Sequence, residues 1–301
     1  MTRETSSITS GQRQMRYVRY HPPLSLAPLF RPLPKNGRRP VLDLSYASEG
    51  SGVVLRFSAR EALGVPEQTL LLALLEIARE RYSRKREEAT LKATCASETS
   101  AALWRRLNRG HADSDGESIR FSTTWRELNE RCGSNTGGST VTLRRAQLQR
   151  LCEVVVWEET TEAHRMTQQT YLVAWLLGDD AKLYLALNVR LAASVVGKPF
   201  VLVSLAERLR LESDTAKALH AYFCARVHPG HQLKVRVDAL SQRIWPEVDV
   251  PDGTARRRRK AIRDALLELA ALAGWEVERL TAEVVCVRRP ELPLREGPRV
   301  A

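Results

Sequence analysis

The sequence predicts an α+β, mostly helical fold made of two tandem winged-helix (winged helix-turn-helix) domains with short β-wings. Two observations carry this. Between about residues 121 and 177 a helix, a turn, a longer helix and two apolar runs follow one another, the order of a winged helix-turn-helix. The same order recurs between residues 200 and 288, which suggests a duplicated unit. The length of 301 residues accommodates two such domains at roughly 100–200 residues each. The expected organisation is a basic, proline-rich arm at residues 1–40, an N-terminal winged-helix domain at 41–197, a C-terminal one at 198–295 and a tail at 296–301. The linker falls near Gly197-Lys198-Pro199.

The arm carries eight Lys/Arg against one acidic residue, with Pro22, Pro23, Pro28, Pro32, Pro34 and Pro40. Proline removes donors and fixes the backbone, so the segment reads as flexible or draped over the first domain. Val41–Tyr46 and Val53–Phe57 alternate around Glu49-Gly50-Ser51-Gly52 and read as a hairpin. Pro66–Tyr82 reads as a helix with Leu70, Ala73, Leu74, Ile77 and Ala78 on one face. Residues 83–118 are highly charged, with a helical piece near Leu103–Leu107 and a loop at His111–Gly116.

In the first repeat, Ser122–Cys132 is the short helix, Gly133, Ser134 and Asn135 the turn, and Gly138–Cys152 the longer helix. Glu153–Glu158 and Thr170–Leu177 form the ribbon, followed by a strand at Leu183–Leu187 and a helix at Val189–Val196. In the second repeat, the strand Phe200–Val203 precedes helices at Leu205–Leu211 and Asp214–Arg226. The strand Leu233–Val237, helix Asp238–Ile244, a helix from about Thr254 to Ala273, and the wing Trp275–Arg279 with Glu283–Arg288 complete it.

Lys+Arg 47 against Asp+Glu 35 gives a net charge of +12. That excess favours a polyanionic partner, of which nucleic acid is the commonest. The rival, a membrane, is disfavoured: no run approaches the ~18–20 apolar residues a spanning helix needs. Residues 1–19 lack the apolar centre of a signal peptide, so a cytoplasmic location is expected. The five cysteines (95, 132, 152, 224 and 286) contain no CxxC pair; neither a disulfide framework nor a zinc ribbon is suggested, and Cys132, Cys152 and Cys224 read as small buried apolar groups.

The helix Thr254–Ala273 carries the sharpest binding signal. At 100° per residue Ala255, Ile262, Leu266, Leu269 and Ala273 form one stripe, while Arg256, Arg257, Lys260 and Arg263 lie opposite. A recognition helix needs this division, because its N-terminal part enters the major groove, where Arg reads guanine O6 and N7. Arg258 and Arg259 flank the stripe and are expected to reach phosphates. A charge run is ordinarily a solvated face. Here five consecutive cations oppose the helix dipole, a placement that phosphates would relieve.

Gly138–Cys152 divides less cleanly: Val141, Leu148, Leu151 and Cys152 face inward, and Ser139, Thr142, Gln149 and Arg150 outward, with Arg145 on the flank. Leu143 and Ala146 also lie outward. Small hydroxyls near the N-terminus suit close approach to bases and backbone, although an ordinary polar face would look similar.

Other signals fail. His220, Cys224, His228 and His231 match no standard zinc spacing. His228-Pro-Gly-His231 is not the His-apolar-His metal motif of origin-nicking enzymes. Lys198 is followed by Pro199 rather than Ser or Thr, with no glycine at phosphate-loop spacing. No catalytic residue, metal site or cofactor is expected, and the chain reads as a non-enzyme.

Several stretches resemble the replication protein C initiators of IncQ-type broad-host-range plasmids. They are Leu26-Ala27-Pro28-Leu29-Phe30-Arg31, Leu42-Asp43-Leu44-Ser45-Tyr46, Leu183-Tyr184-Leu185-Ala186-Leu187-Asn188, Asp214-Thr215-Ala216-Lys217-Ala218-Leu219-His220, Ile244-Trp245-Pro246 and Arg256–Leu267. Their shared order extends from about residue 17 to 290; residues 80–120 resemble the family least. The resemblance implies a tandem winged-helix initiator that binds directly repeated origin sequences (iterons) in double-stranded DNA. It also implies opening of nearby AT-rich DNA and recruitment of a plasmid helicase and primase. Some related initiators form homodimers. The competing readings are a winged-helix transcriptional repressor and a basic replication scaffold that reads no sequence. Two readers in one chain favour direct repeats, whereas most repressors dimerise on palindromes.

Overall fold

A computed structural model describes residues 17–34, 37–47, 52–108, 116–135, 137–160, 165–197, 199–247 and 249–292. Within them the architecture is mixed α/β, with helices around several small sheets. The loop at 111–116 lies mostly outside the described residues, as do the hairpin turn at 49–51, Lys198 of the linker, residues 1–16 of the arm and the tail.

The rest of the arm is a structural element. Strand β1 (Tyr17–Tyr20) pairs antiparallel with β12 (Val201–Ser204), at the start of the second half. Helix α1 (Pro22–Leu26) begins with Pro22 and Pro23, positions where an amide donor is not needed, so a proline-rich segment forms a helical turn after all. Ser25 Oγ donates to Ala221 O at 2.7 Å, which ties α1 to the second half. Strand β2 (Phe30–Arg31) pairs in parallel with β5 (Leu63–Gly64) of the first half. Val18, Tyr20, Leu24, Leu29 and Phe30 are buried. Apolar burial at these alternating positions therefore anchors residues 17–31 to both halves, in place of the flexible or draped arm.

Strands β3 (Leu42–Ala47) and β4 (Val53–Ala59) form the expected hairpin. Helix α2 (Val65–Arg84) is buried on every side through its first part, up to Ala78: Leu71, Leu72 and Leu75 are as inaccessible as Leu70, Leu74 and Ile77. A helix apolar all round belongs inside a protein, and the uninterrupted run Leu70–Leu75 reports this where a one-face reading does not. Helix α3 (Arg86–Ala89), strand β6 (Thr90–Leu91) and helix α4 (Glu98–Leu107) follow. Leu91, Leu103, Trp104 and Leu107 build a small separate core with Ala174 and Ala186.

Strand β7 (Ser118–Thr123) precedes helices α5 (Trp125–Arg131) and α6 (Gly138–Glu153). Thr124 caps α5 by accepting the Glu127 N–H. The turn between α5 and α6 passes through Gly133 at φ +68°, where an added Cβ would come within 3.2 Å of Leu209. The ribbon is β8 (Val155–Thr160) with β9 (Arg165–Tyr171), and it continues the β3–β4 hairpin into a sheet ordered β3-β4-β8-β9. The expected second strand, Thr170–Leu177, is divided at Leu172, and β10 (Val173–Leu177) belongs to another sheet. That sheet is ordered β10-β11-β7-β6, with β11 at Leu183–Leu187. Helix α7 (Val189–Val196), capped by Asn188, completes the first half.

The second half contains α8 (Leu205–Arg210), α9 (Asp214–Arg226), β13 (Gln232–Arg236), α10 (Val237–Ile244) and α11 (Asp252–Ala270). Strands β14 (Glu276–Arg279) and β15 (Val284–Arg288) end it, in a sheet ordered β13-β15-β14. Ser204 and Ser213 cap α8 and α9, so serines mark both helix starts. The apolar core runs through both halves without a break. At the junction Arg208 is fully buried: its guanidinium donates to Thr69 Oγ1 (2.9 Å), Gln68 Oε1 (2.9 Å) and Val65 O (3.2 Å) of α2, and to Lys217 O (2.6 Å). The sequence boundary near residue 197 is a passage of the chain and not a division of the core.

Candidate nucleic-acid interface

Helix α11 separates its residues by chemistry. Ile262, Ala265, Leu266 and Leu269 are buried against α9 and α10, while Arg256, Arg257, Lys260 and Arg263 are exposed. Ala273, expected on the stripe, is exposed beyond the end of the helix, and Ala265 takes the buried place. Arg256 makes no ion pair or hydrogen bond among the described residues. Arg257 bonds only to the preceding turn, at Gly253 O (3.2 Å) and Thr254 Oγ1 (3.4 Å). Lys260 pairs with Asp264 at 2.6 Å, an exposed i,i+4 pair that a stronger anion can displace. Arg263 donates to Ala282 O (3.5 Å), which sets the β14–β15 tip beside the exposed face of α11.

Arg258 and Arg259 are otherwise engaged. Arg258 binds Glu247 at 2.8 Å, and its guanidinium lies 5.6 Å from the Trp245 ring centroid. Glu247 also pairs with Arg31, joining the N-terminal segment to the start of α11. Arg259 binds Asp238 at 2.6 Å on α10. Flanking positions on a packed helix lie over its neighbours, so these two cations are held by carboxylates that the helical projection does not include.

On α6 the exposed residues are Gly138, Ser139, Thr142, Leu143, Arg145 and Gln149. Thr142 Oγ1 bonds to Gly138 O (3.3 Å), and Gln149 donates to Glu153 Oε1 (3.2 Å). The Arg145 guanidinium lies 5.7 Å from the Trp125 ring. Arg144 is 5% exposed and donates to Asn129 Oδ1, Gln147 Oε1 and Ser134 Oγ, clasping α5, the turn and α6 together.

Arg150 departs from its expected outward position. It is bound to Glu67 at 2.7 Å, near the start of α2, and lies 3.9 Å from Glu61. Glu67 is wholly buried and accepts the Gly64 N–H that begins α2. A buried carboxylate needs a cation, which draws Arg150 inward.

Sequence reasoning missed the cations of the β13-β15-β14 sheet: Lys234, Arg236, Arg279 and Arg288 are exposed there, with Arg236 paired to Glu283 at 2.6 Å and Arg288 to Glu276 at 3.8 Å. The alternation Gln232-Leu233-Lys234-Val235-Arg236 is the signal that could have found them.

Beneath α11, His220 Nε2 lies 2.9 Å from Glu207 Oε2, which also accepts from Trp275 Nε1 at 3.2 Å. Burial alone would push the imidazole down. Cys224 and Glu207 outweigh it and hold His220 up at about 9. Burial opposes ionisation of Glu207 too, yet His220 holds that carboxyl below its ordinary value. No group of three or more His, Cys, Asp or Glu is placed to hold a metal ion among the described residues. No helix there is long and apolar enough to cross a membrane.

No curated protein matches the chain. Among solved structures, a selenomethionine crystal structure of domains 2 and 3 of RctB is similar at 11% identity and a TM-score of 0.54, covering 89% of this chain and 97% of that one. A second RctB domain 2–3 structure gives 11% identity, a TM-score of 0.52 and coverage of 88% and 95%. The Pi initiator protein in complex with iteron DNA gives 12% identity and a TM-score of 0.43 over 74% of this chain and 89% of that one. The RctB domains share the fold. The family model described as Replication protein C (RepC) matches residues 12–291, so this chain belongs to that family of replication proteins.

Proposed function

We propose that the chain is a plasmid replication initiator that binds directly repeated origin sequences in double-stranded DNA. In this reading α5–α6 and α10–α11 are the helix pairs of two winged-helix units, with β8–β9 and β14–β15 as wings. The observation that carries it is the exposed face of α11, where Arg256, Arg257, Lys260 and Arg263 stand free of the core that holds the opposite face. Arginine on such a face can bond guanine O6 and N7 in the major groove. Arg145 of α6, with Lys234 and Arg279 of the β13-β15-β14 sheet, reaches phosphates. Arg258 and Arg259 brace α11 from the side. Membership of the replication protein family supports the reading. Binding energy then opens adjacent AT-rich DNA, and a plasmid helicase and primase are recruited to it.

Footprinting on origin DNA tests this. Two recognition helices on one duplex face, one turn apart, give protection over roughly two turns of ~10–10.5 bp each for one monomer. Protection of a single turn contradicts the two-reader arrangement. A palindromic optimum indicates the repressor, and binding without sequence preference indicates the scaffold.

A further inference from the structure

The outward face of α6 is nearly bare of free charge. Of its three arginines, Arg144 and Arg150 are engaged inside the protein, leaving Arg145 on the flank. Leu143 stands 54% exposed on this face. At 100° per residue, Ser139, Thr142, Leu143 and Ala146 fall on one outward arc. The Thr142 hydroxyl is occupied by Gly138 O, so the polar end of that side chain is turned back on its own helix and its methyl is the group left to offer. With Arg150 drawn onto Glu67, the arc carries no free charge and offers mainly the Leu143 side chain and the Thr142 and Ala146 methyls, unlike the cationic face of α11.

Taking α6 as a major-groove helix, as proposed above, we infer that it reads thymine through the C5-methyl group, with Leu143 as the principal contact and the methyls of Thr142 and Ala146 beside it. In the major groove the thymine methyl is the apolar feature that a side chain without donors can recognise, and alanine and threonine methyls are known partners for it. The small residues allow the helix axis to approach the base edges. Leu143 then covers a methyl that would otherwise remain in water. One half of each bound repeat is thus selected by thymine methyls through α6, and the other by guanine edges through α11.

The test is a substitution scan of one origin repeat in which each thymine is replaced singly by deoxyuridine, which removes the methyl and leaves pairing intact. Affinity of the full chain is measured by fluorescence anisotropy. Loss of a buried methyl weakens binding about fourfold. One or two positions, confined to one half of the repeat, should show this loss. With Leu143→Ala, binding to the thymine duplex falls, and the same deoxyuridine positions no longer matter. Leu143 is mostly exposed, so the variant should keep the wild-type melting temperature.

Sequence-specific binding that is indifferent to every deoxyuridine overturns the thymine assignment while leaving the initiator reading intact. Equal binding to the repeat and to random DNA overturns both. A Leu143→Ala variant that stays sensitive to deoxyuridine removes Leu143 from the contact. One that changes the oligomeric state in light scattering makes Leu143 a subunit contact instead.

Discussion

Helices α6 and α11, the longer helix of each half's proposed reading pair, use arginine in opposite ways. On α6, Arg144 and Arg150 turn inward to hold a turn and a buried carboxylate. On α11 only the flanking pair, Arg258 and Arg259, is engaged by carboxylates of neighbouring segments, and the outward cations remain available. Residue type therefore does not tell which cations stay unengaged. A carboxylate on a packed neighbour within reach decides it.

The largest effect should come from the packed side of α11. Ile262→Ala removes a fully buried side chain and should cost about 2–5 kcal/mol of stability, lowering the melting temperature and DNA binding together. It provides the control for a helix that fails because its platform has loosened.

The buried His220–Glu207 pair beneath α11 should make that platform sensitive to pH. His220 has a folded pKa raised above its unfolded value, so its contribution is fully present below about 6.5 and lost as pH rises through about 9. Glu207 is depressed, so its contribution is present above the ordinary carboxylate range and lost as pH falls through its folded value. Raising the pH toward 9 should therefore speed opening of α9 and α11 relative to α2 and α6 in hydrogen exchange, and His220→Gln should abolish that pH dependence. Uniform opening would mean that the pair does not set the local stability.

A further contrast lies between Arg150 and the outward arginines. Arg150→Ala leaves Glu67 buried with Arg39, 3.3 Å away, as its one cationic partner among the described residues. A loss of about 2 kcal/mol in denaturant unfolding is expected, with an unchanged preference for repeat over random DNA. A changed preference at unaltered stability would return Arg150 to the DNA face. Arg258→Ala is the mildest variant: losing the Glu247 pair should cost roughly 1 kcal/mol of stability, again without altering sequence preference.

The second half was largely legible in the sequence because its signals are local. Ser204 and Ser213 mark helix starts, Gln232–Arg236 alternates, and Ile262, Leu266 and Leu269 recur at helical spacing. The first half hides its organisation in long-range pairing. Strand β7 finds its partner at Leu183–Leu187 and β1 finds its partner at Val201–Ser204, which no local pattern announces. The prolines of the arm obscured the buried Val18, Tyr20 and Leu24. At the candidate site, periodicity separated the two faces of α11. It could not show Glu247, Asp238 or Glu67, because those carboxylates arrive from other elements.

The most direct test of the account is the ratio of affinity for an origin repeat to affinity for random DNA, measured for Arg256→Ala, Arg257→Ala, Lys260→Ala and Arg263→Ala beside wild type. The account predicts that at least one of the four lowers the ratio by about 1–3 kcal/mol at an unchanged melting temperature, because a base contact exists only in the specific complex. If all four variants keep the wild-type ratio, α11 is not the base reader and the division between its faces has another purpose.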